Sequence, residues 1–172
     1  MNASFVKASL ARAMPKAYRL LGAAALVAVA AFATGCGRPF DVKTAPGLVE
    51  LEHQSPDYDY RAISPEGVVM GVRVVDVDKQ GDLEFWTRVT TLRMRELDGY
   101  ALLGTEDVKS REGTPGHELR FGHDEHGKPY LYMLRIYVKS GRLYLVETGG
   151  PQREVEHYKS QLDWMQASLK LD

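Results

Sequence analysis

The sequence has one cysteine, Cys36, among its 172 residues. An intramolecular disulfide is therefore excluded, and the folded part must be held together by packing. The main apolar, charge-free run covers residues 20–35 and is only 16 residues long. Since about 20 residues are needed to cross a bilayer comfortably, this run does not favour a permanent membrane-spanning helix.

Basic residues are in the minority after residue 35. Residues 1–35 hold four of the 22 Lys and Arg residues and none of the 23 Asp and Glu residues, so the remaining 137 residues carry a formal charge of −5. This balance argues against nucleic acid as a partner, because a nucleic-acid surface needs a basic patch. No Gly-rich loop leads from a strand into a helix, and we expect no cofactor.

The first 35 residues have the order of a signal peptide. A basic stretch with Lys7, Arg12, Lys16 and Arg19 precedes the apolar run, and small residues follow that run. We therefore predict a signal peptide over 1–35.

Ala33, Thr34, Gly35 and Cys36 resemble the cleavage motif of bacterial lipoproteins, although that motif usually has Leu where Ala33 stands. The resemblance implies cleavage before Cys36, a diacylglycerol on its thiol and a further acyl chain such as palmitate on its amino group. Two or more chains give stable attachment to a membrane. Gly37 stands where Asp tends to retain such proteins at the inner membrane, so the expected location is the outer membrane, facing the periplasm.

The residues after Cys36 are expected to form one domain behind a tether. Residues 36–55 include Pro39, Pro46 and Gly47 and show no sustained period, which predicts a flexible tether with at most a short strand near Val49. Residues 56–172 are of ordinary size for a single domain.

The first half of this domain is predicted to be a hairpin followed by a helix. Residues 57–64 alternate in polarity, a turn follows at 65–67, and 68–78 form a β-branched run. Asp82 can cap a helix over 83–97, in which Phe85, Val89 and Leu92 form a packing stripe and Trp86 is expected in the core.

The second half is predicted to be a four-stranded antiparallel meander and a last helix. Short turns separate the apolar runs 100–109, 117–122, 130–138 and 143–148. The run 130–138 is apolar on both faces, which is typical of a central strand. Val155, Tyr158, Leu162, Met165 and Leu169 then recur at helical spacing.

This order of elements resembles the Mog1/PsbP-like fold, an α/β/α sandwich found in a Ran-binding protein, a photosystem II subunit and many bacterial lipoproteins. The resemblance covers 56–172 and rests on Gly99 and Tyr100, on 127–130, on 141–144 and on the last helix. It implies an α+β domain with an antiparallel sheet flanked by two amphipathic helices. An alternative is an antiparallel α+β lipoprotein domain with helices on one face only.

No catalytic constellation is found. His123 and His126 flank two carboxylates in a predicted hairpin turn, with His117 expected on an adjoining strand. These three histidines are the candidates for a zinc or copper site, but surface turns ordinarily contain such residues, and no metal site is predicted. The carboxylates of 57 and 59, or of 76 and 78, could serve a hydrolase, but solvated strand ends explain them better.

The sequence therefore predicts a non-catalytic, lipid-anchored module of the cell envelope that binds or assembles with an envelope protein. The sequence does not identify the residues that would bind this partner. The alternative is a small envelope hydrolase or a metal-binding protein that uses the region of His117, His123 and His126.

Overall fold

The computed structural model describes residues 37–52, 57–78 and 80–172. The strands in these ranges are β1 (Phe40–Asp41), β2 (Val49–Glu50), β3 (Tyr60–Ile63), β4 (Val69–Asp76), β5 (Ala101–Lys109), β6 (Pro115–Glu125), β7 (Lys128–Lys139), β8 (Arg142–Pro151) and β9 (Lys170–Leu171). The helices are α1 (Leu83–Glu96), α2 (Gln152–His157) and α3 (Lys159–Ser168).

Seven strands form one antiparallel sheet in the order β2, β3, β4, β8, β7, β6, β5, and β1 pairs separately with β9. Strands β5 to β8 are successive neighbours, which confirms the predicted meander, and β3 with β4 confirms the predicted hairpin. The two-residue turns 126–127 and 140–141 have positive φ at both positions, as hairpins of this length require.

Helices cover both faces of the sheet. Along β8, Tyr144 and Val146 belong to the cluster that packs on α2 and α3, whereas Leu143 and Leu145 belong to the cluster that packs on α1. Because successive side chains of a strand point to opposite faces, the two clusters lie on opposite sides of the sheet. The α/β/α arrangement is confirmed, and the alternative with helices on one face is wrong.

The last helical segment packs as its spacing predicts. All five residues of the predicted stripe are buried, with exposed fractions of 8% or less: Val155, Tyr158, Leu162, Met165 and Leu169. The segment is divided at Tyr158 into α2 and α3. Among the described residues, no helix has the length and apolar character needed to cross a membrane.

The bounds of α1 are confirmed, but its predicted packing stripe is wrong. The Asp82 side chain accepts a hydrogen bond from the Phe85 amide (2.8 Å) and caps the helix. Leu83, Trp86 and Met94 pack against the sheet, whereas the predicted stripe is exposed by 41% at Phe85, 39% at Val89 and 53% at Leu92. Both sets have helical spacing, so the period does not decide which set faces the core.

The expected tether over 36–55 is wrong for the described residues 38–52. Phe40, Ala45 and Leu48 are buried in the same cluster as α2 and α3. Strand β1 pairs with β9, and β2 pairs with β3, so the backbone of this segment is hydrogen-bonded to the domain. The physical reason is that these three apolar side chains fill one side of the core. Residues 53–56 lie outside the described ranges.

Candidate functional site

A cleft opens on the sheet face that carries α1, beside the area where α1 packs, since the main contacts of α1 with the sheet are to β5, β6 and β7. The cavity has a volume of about 290 Å³. Its lining is rich in tyrosine and glycine, and we call it the tyrosine cleft. The lining residues are Tyr58, Arg61, Gly67, Val69, Gly71, Tyr100, Tyr130, Leu131, Tyr132, Glu147, Gly149 and Gly150.

Glycines in β4 and β8 form the floor of the cleft and let tyrosine rings lie close to the sheet. A Cβ atom at Gly71 would lie 2.7 Å from Cε1 of Tyr58, and one at Gly149 would lie 3.3 Å from Cδ2 of Tyr132. A side chain at Gly71 would therefore displace the Tyr58 ring. Glycine inside a strand often marks such a close approach.

A buried carboxylate holds the tyrosines in place. Glu147 is only 7% exposed, accepts a hydrogen bond from the Tyr58 hydroxyl (2.7 Å) and forms an ion pair with Arg73. Burial, and then the hydrogen bond to Glu147, raise the pKa of Tyr58 to about 12. Burial and the charge of Glu147 also raise the pKa of Tyr132. Both hydroxyl groups therefore keep their protons at neutral pH and can donate to the carboxylate.

Two arginines lie against the same ring. The guanidinium carbons of Arg61 and Arg73 are each 5.5 Å from the centre of the Tyr58 ring, within the range of cation–π attraction. Arg73 is also the ion-pair partner of Glu147.

Two other cavities have charged residues in their linings. One, of about 420 Å³, is lined by Asp124 and His123 among others. The other, of about 360 Å³, is lined by four carboxylate and three basic side chains. The lining of the tyrosine cleft has one arginine, Arg61, and one carboxylate, Glu147.

The lining contains no serine, cysteine or histidine, and its carboxylate is engaged in an ion pair. Aromatic faces, guanidinium groups and exposed backbone are groups that recognise a ligand by stacking and hydrogen bonding. The arrangement can therefore bind and orient a ligand.

The three candidate histidines are not brought together. His117 lies on β6, the strand that leads into the turn, as predicted. Strand β6 extends to Glu125 and also holds His123, and six residues separate the two histidines by about 20 Å. His117 contacts Asp107 (3.0 Å), and the His123 ring stacks on Tyr100 (5.0 Å between centres). His126 lies in the turn after β6. Within the described ranges, no three His, Cys, Asp or Glu residues form a group that could hold a metal ion.

Two of the carboxylates considered for hydrolysis have structural contacts. Asp59 accepts a hydrogen bond from the Val74 amide (2.8 Å), and Asp76 pairs with Arg142 (3.3 Å). Cys36 lies outside the described residues, so its lipidation stays a prediction.

No protein-family model matches the chain, and no curated protein matches its sequence. Among solved structures, LpqN of Mycobacterium tuberculosis, involved in cell envelope biogenesis, is similar over 81% of this chain and 87% of its own, with a TM-score of 0.64 and 12% identity. The Saccharomyces cerevisiae Ran-binding protein Mog1p is similar over 77% of this chain and 90% of its own, with a TM-score of 0.56 and 11% identity. The fold is Mog1/PsbP-like. Cyanobacterial PsbP from Synechocystis sp. PCC 6803 is also similar, over 80% of this chain and 96% of its own, with a TM-score of 0.51 and 13% identity.

Within this Mog1/PsbP-like domain, sequence reasoning did not single out the cleft residues. Tyr58, Arg73 and Glu147 come from the segment before β3, from β4 and from β8, so no local spacing connects them. The sequence signal that could have indicated the cleft is glycine inside apolar strands, at Gly71 and at the pair 149–150. Glycine in a strand often marks a place where a ring, a ligand or another backbone comes close.

Proposed function

We propose that this protein is a non-catalytic binding or assembly module of the cell envelope that binds a protein partner through the tyrosine cleft. The observation that supports the proposal is the composition of the cleft. Tyrosine and arginine are enriched at the energetic centres of protein interfaces, where they supply contact area and directed hydrogen bonds. Here four tyrosines and Arg61 line one cleft.

The second part of the proposal is attachment to the outer membrane, facing the periplasm, through acyl chains on Cys36. The signal-peptide order and the lipoprotein motif support it. The similarity in fold to LpqN, a protein involved in cell envelope biogenesis, agrees with an envelope location.

Such an anchor would be attached close in sequence to the folded domain. Only three residues separate Cys36 from Phe40, which is about 14 Å of extended chain. The Tyr144 hydroxyl, near the start of β8, donates to the Pro39 carbonyl (3.3 Å). Gly149 lies in the cleft five residues further along β8, about 17 Å away. The Pro39 carbonyl therefore lies near the side chain of Tyr144 at the start of β8, whereas Gly149 lies near the end of this strand.

The test is photo-crosslinking in cells of the source organism. A photo-reactive residue in place of Val69, which lines the cleft, should give one discrete adduct with an envelope protein. The matched control is the same residue in place of Trp164, which is 48% exposed on α3, over the opposite face. No adduct from Val69, or the same adducts from both positions, would contradict the proposal.

A further inference from the structure

The outer side of α1 carries an exposed apolar stripe. Phe85, Val89 and Leu92 are each exposed by at least 39%, and all three lie within one helix of 14 residues. Residues three and four apart on a helix are neighbours, so these side chains form one continuous surface. An apolar surface of this kind, with charged side chains at its edge, is typical of a site that associates with another molecule.

The charges on this side of α1 are placed symmetrically about Leu92. Arg88 precedes Leu92 by four residues, Glu96 follows it by four, and both side chains are exposed. Since residues four apart form a row along a helix, these three side chains lie in one row with opposite charges at its ends. Such a row is complementary to itself when a second copy runs in the opposite direction.

We propose that two copies of this protein associate through α1, related by a two-fold axis that passes beside Leu92. The two helices run in opposite directions and cross at about −50°, with their rows of residues four apart packed side by side. Leu92 then contacts Leu92 of the second copy, and Arg88 of each copy faces Glu96 of the other. The neighbouring row, with Phe85 and Val89, packs against Leu92 of the second copy.

The charge pattern favours a second copy over a different partner. In a two-fold arrangement each contact is made twice, so one complementary pair of residues, 88 and 96, supplies two ion pairs. An anionic lipid surface would favour basic residues alone, whereas this row also carries a carboxylate. The outer side of α1 therefore matches its own reversed copy.

The association is expected to be weak in dilute solution. Stable interfaces bury about 1,200–2,000 Å², and a helix of 14 residues, about 21 Å long, supplies only part of that area. Attachment to a common membrane raises the local concentration of the copies without any new contact. The pair should therefore form at the membrane and be largely dissociated in dilute samples. This step rests on the proposed lipid attachment.

Disulfide crosslinking in membranes of the source organism tests the pairing. Leu92→Cys places the thiols of two copies beside the two-fold axis, so oxidation with copper phenanthroline should give a dimer on a non-reducing gel. The matched control is Trp164→Cys, at a position that is 48% exposed on α3, over the opposite face. It should give little dimer under the same conditions. The unsubstituted chain measures any crosslinking through Cys36.

Charge reversals made in the Leu92→Cys protein assign the contact. Arg88→Glu brings two carboxylates together at both ends of the interface and should lower the dimer yield about fivefold. Arg88→Glu combined with Glu96→Arg makes the charges opposite again and should restore the yield. Arg153→Glu makes the same charge change on an exposed position of α2 and should leave the yield unaltered.

Equal dimer yields from Leu92→Cys and Trp164→Cys would overturn the inference, because they indicate random collision. A Leu92→Cys product that contains a different protein would also overturn it, as would a yield that the double charge reversal does not restore. The proposed function is tested separately, through Val69 and through lipid labelling of Cys36. A protein that passes those tests and yet gives no dimer from Leu92→Cys refutes this inference and leaves the proposed function intact.

Discussion

Tyrosine rings lie on glycines at three places in this sheet. Besides the pairs of Tyr58 with Gly71 and Tyr132 with Gly149, Tyr137 on β7 lies over Gly116, its direct neighbour on β6. A Cβ atom at Gly116 would be 2.5 Å from Cδ1 of Tyr137 and 2.6 Å from the Ile136 carbonyl oxygen. These glycines are packing requirements, since each makes room for a ring that would otherwise stand away from the strand.

Gly116→Ala should destabilise the protein by about 1–3 kcal/mol, because the added methyl group overpacks a buried site. The matched control is Gly104→Ala on β5, where a Cβ atom would meet nothing within 4 Å. That variant should stay within about 0.5 kcal/mol of the wild type. Denaturant-induced unfolding of the three proteins measures the difference, and equal losses in both variants would contradict this packing role.

The burial of Tyr58 and its hydrogen bond to Glu147 make stability depend on pH in the alkaline range. The pKa of Tyr58 is raised from 10.0 to about 12, so folding favours the neutral hydroxyl group. Its contribution is complete below pH 10 and is lost as the pH rises through about 12. The free-energy difference between the wild type and Tyr58→Phe should therefore shrink over this range. A difference that stays constant from pH 10 to pH 12 would rule out this linkage.

Helices α1 and α3 show what periodicity can and cannot predict. The bounds of α1, the meander and the buried stripe through α3 follow from local patterns of capping, turns and spacing. The face of α1 that packs on the sheet cannot be predicted in this way, because two sets of apolar residues both fit a helical period. One set is Leu83, Trp86 and Met94, and the other is Phe85, Val89 and Leu92. Which stripe faces the sheet depends on how the helix crosses β5 to β7, and this is set by tertiary packing. Even the stripe that faces the sheet is only partly buried.

Matched Leu→Asp substitutions in the two helices test this difference. Leu162 is 1% exposed, so Leu162→Asp should cost roughly 4 kcal/mol or more, from lost packing and an unpaired buried charge. Leu92 is 53% exposed, so Leu92→Asp should cost no more than about 0.5 kcal/mol. Thermal unfolding followed by circular dichroism compares them. A large loss in Leu92→Asp would mean that this side of α1 is buried in solution.

At the scale of the whole molecule, contacts between distant parts of the chain were the least predictable from sequence. Strands β1, β2 and β9 have two residues each, too few to show any period. The segment 38–52 packs because β9 and the core lie beside it. These neighbours are distant in sequence and come together only when the domain has folded. The cleft was missed for the same reason, since Tyr58 and Glu147 are 89 residues apart.

We predict that the whole molecule is attached to a membrane by lipid on Cys36. Metabolic labelling with a palmitate analogue should mark the wild type and not Cys36→Ser, because this residue is the one thiol in the sequence. The variant should also leave the membrane fraction. Labelling of both proteins to the same extent would show that Cys36 is not the acceptor.

The pairing of β1 with β9 determines how the domain responds to mechanical load. A pull on the chain ahead of Arg38 reaches the Pro39 carbonyl, which accepts hydrogen bonds from the Asp172 amide (3.0 Å) and the Tyr144 hydroxyl (3.3 Å). The force therefore enters at Asp172, at β8 and, through the ion pair of Arg38 with Glu50, at β2. Removing Asp172 would lower the force at which β1 peels away, while the seven-stranded sheet stays in place.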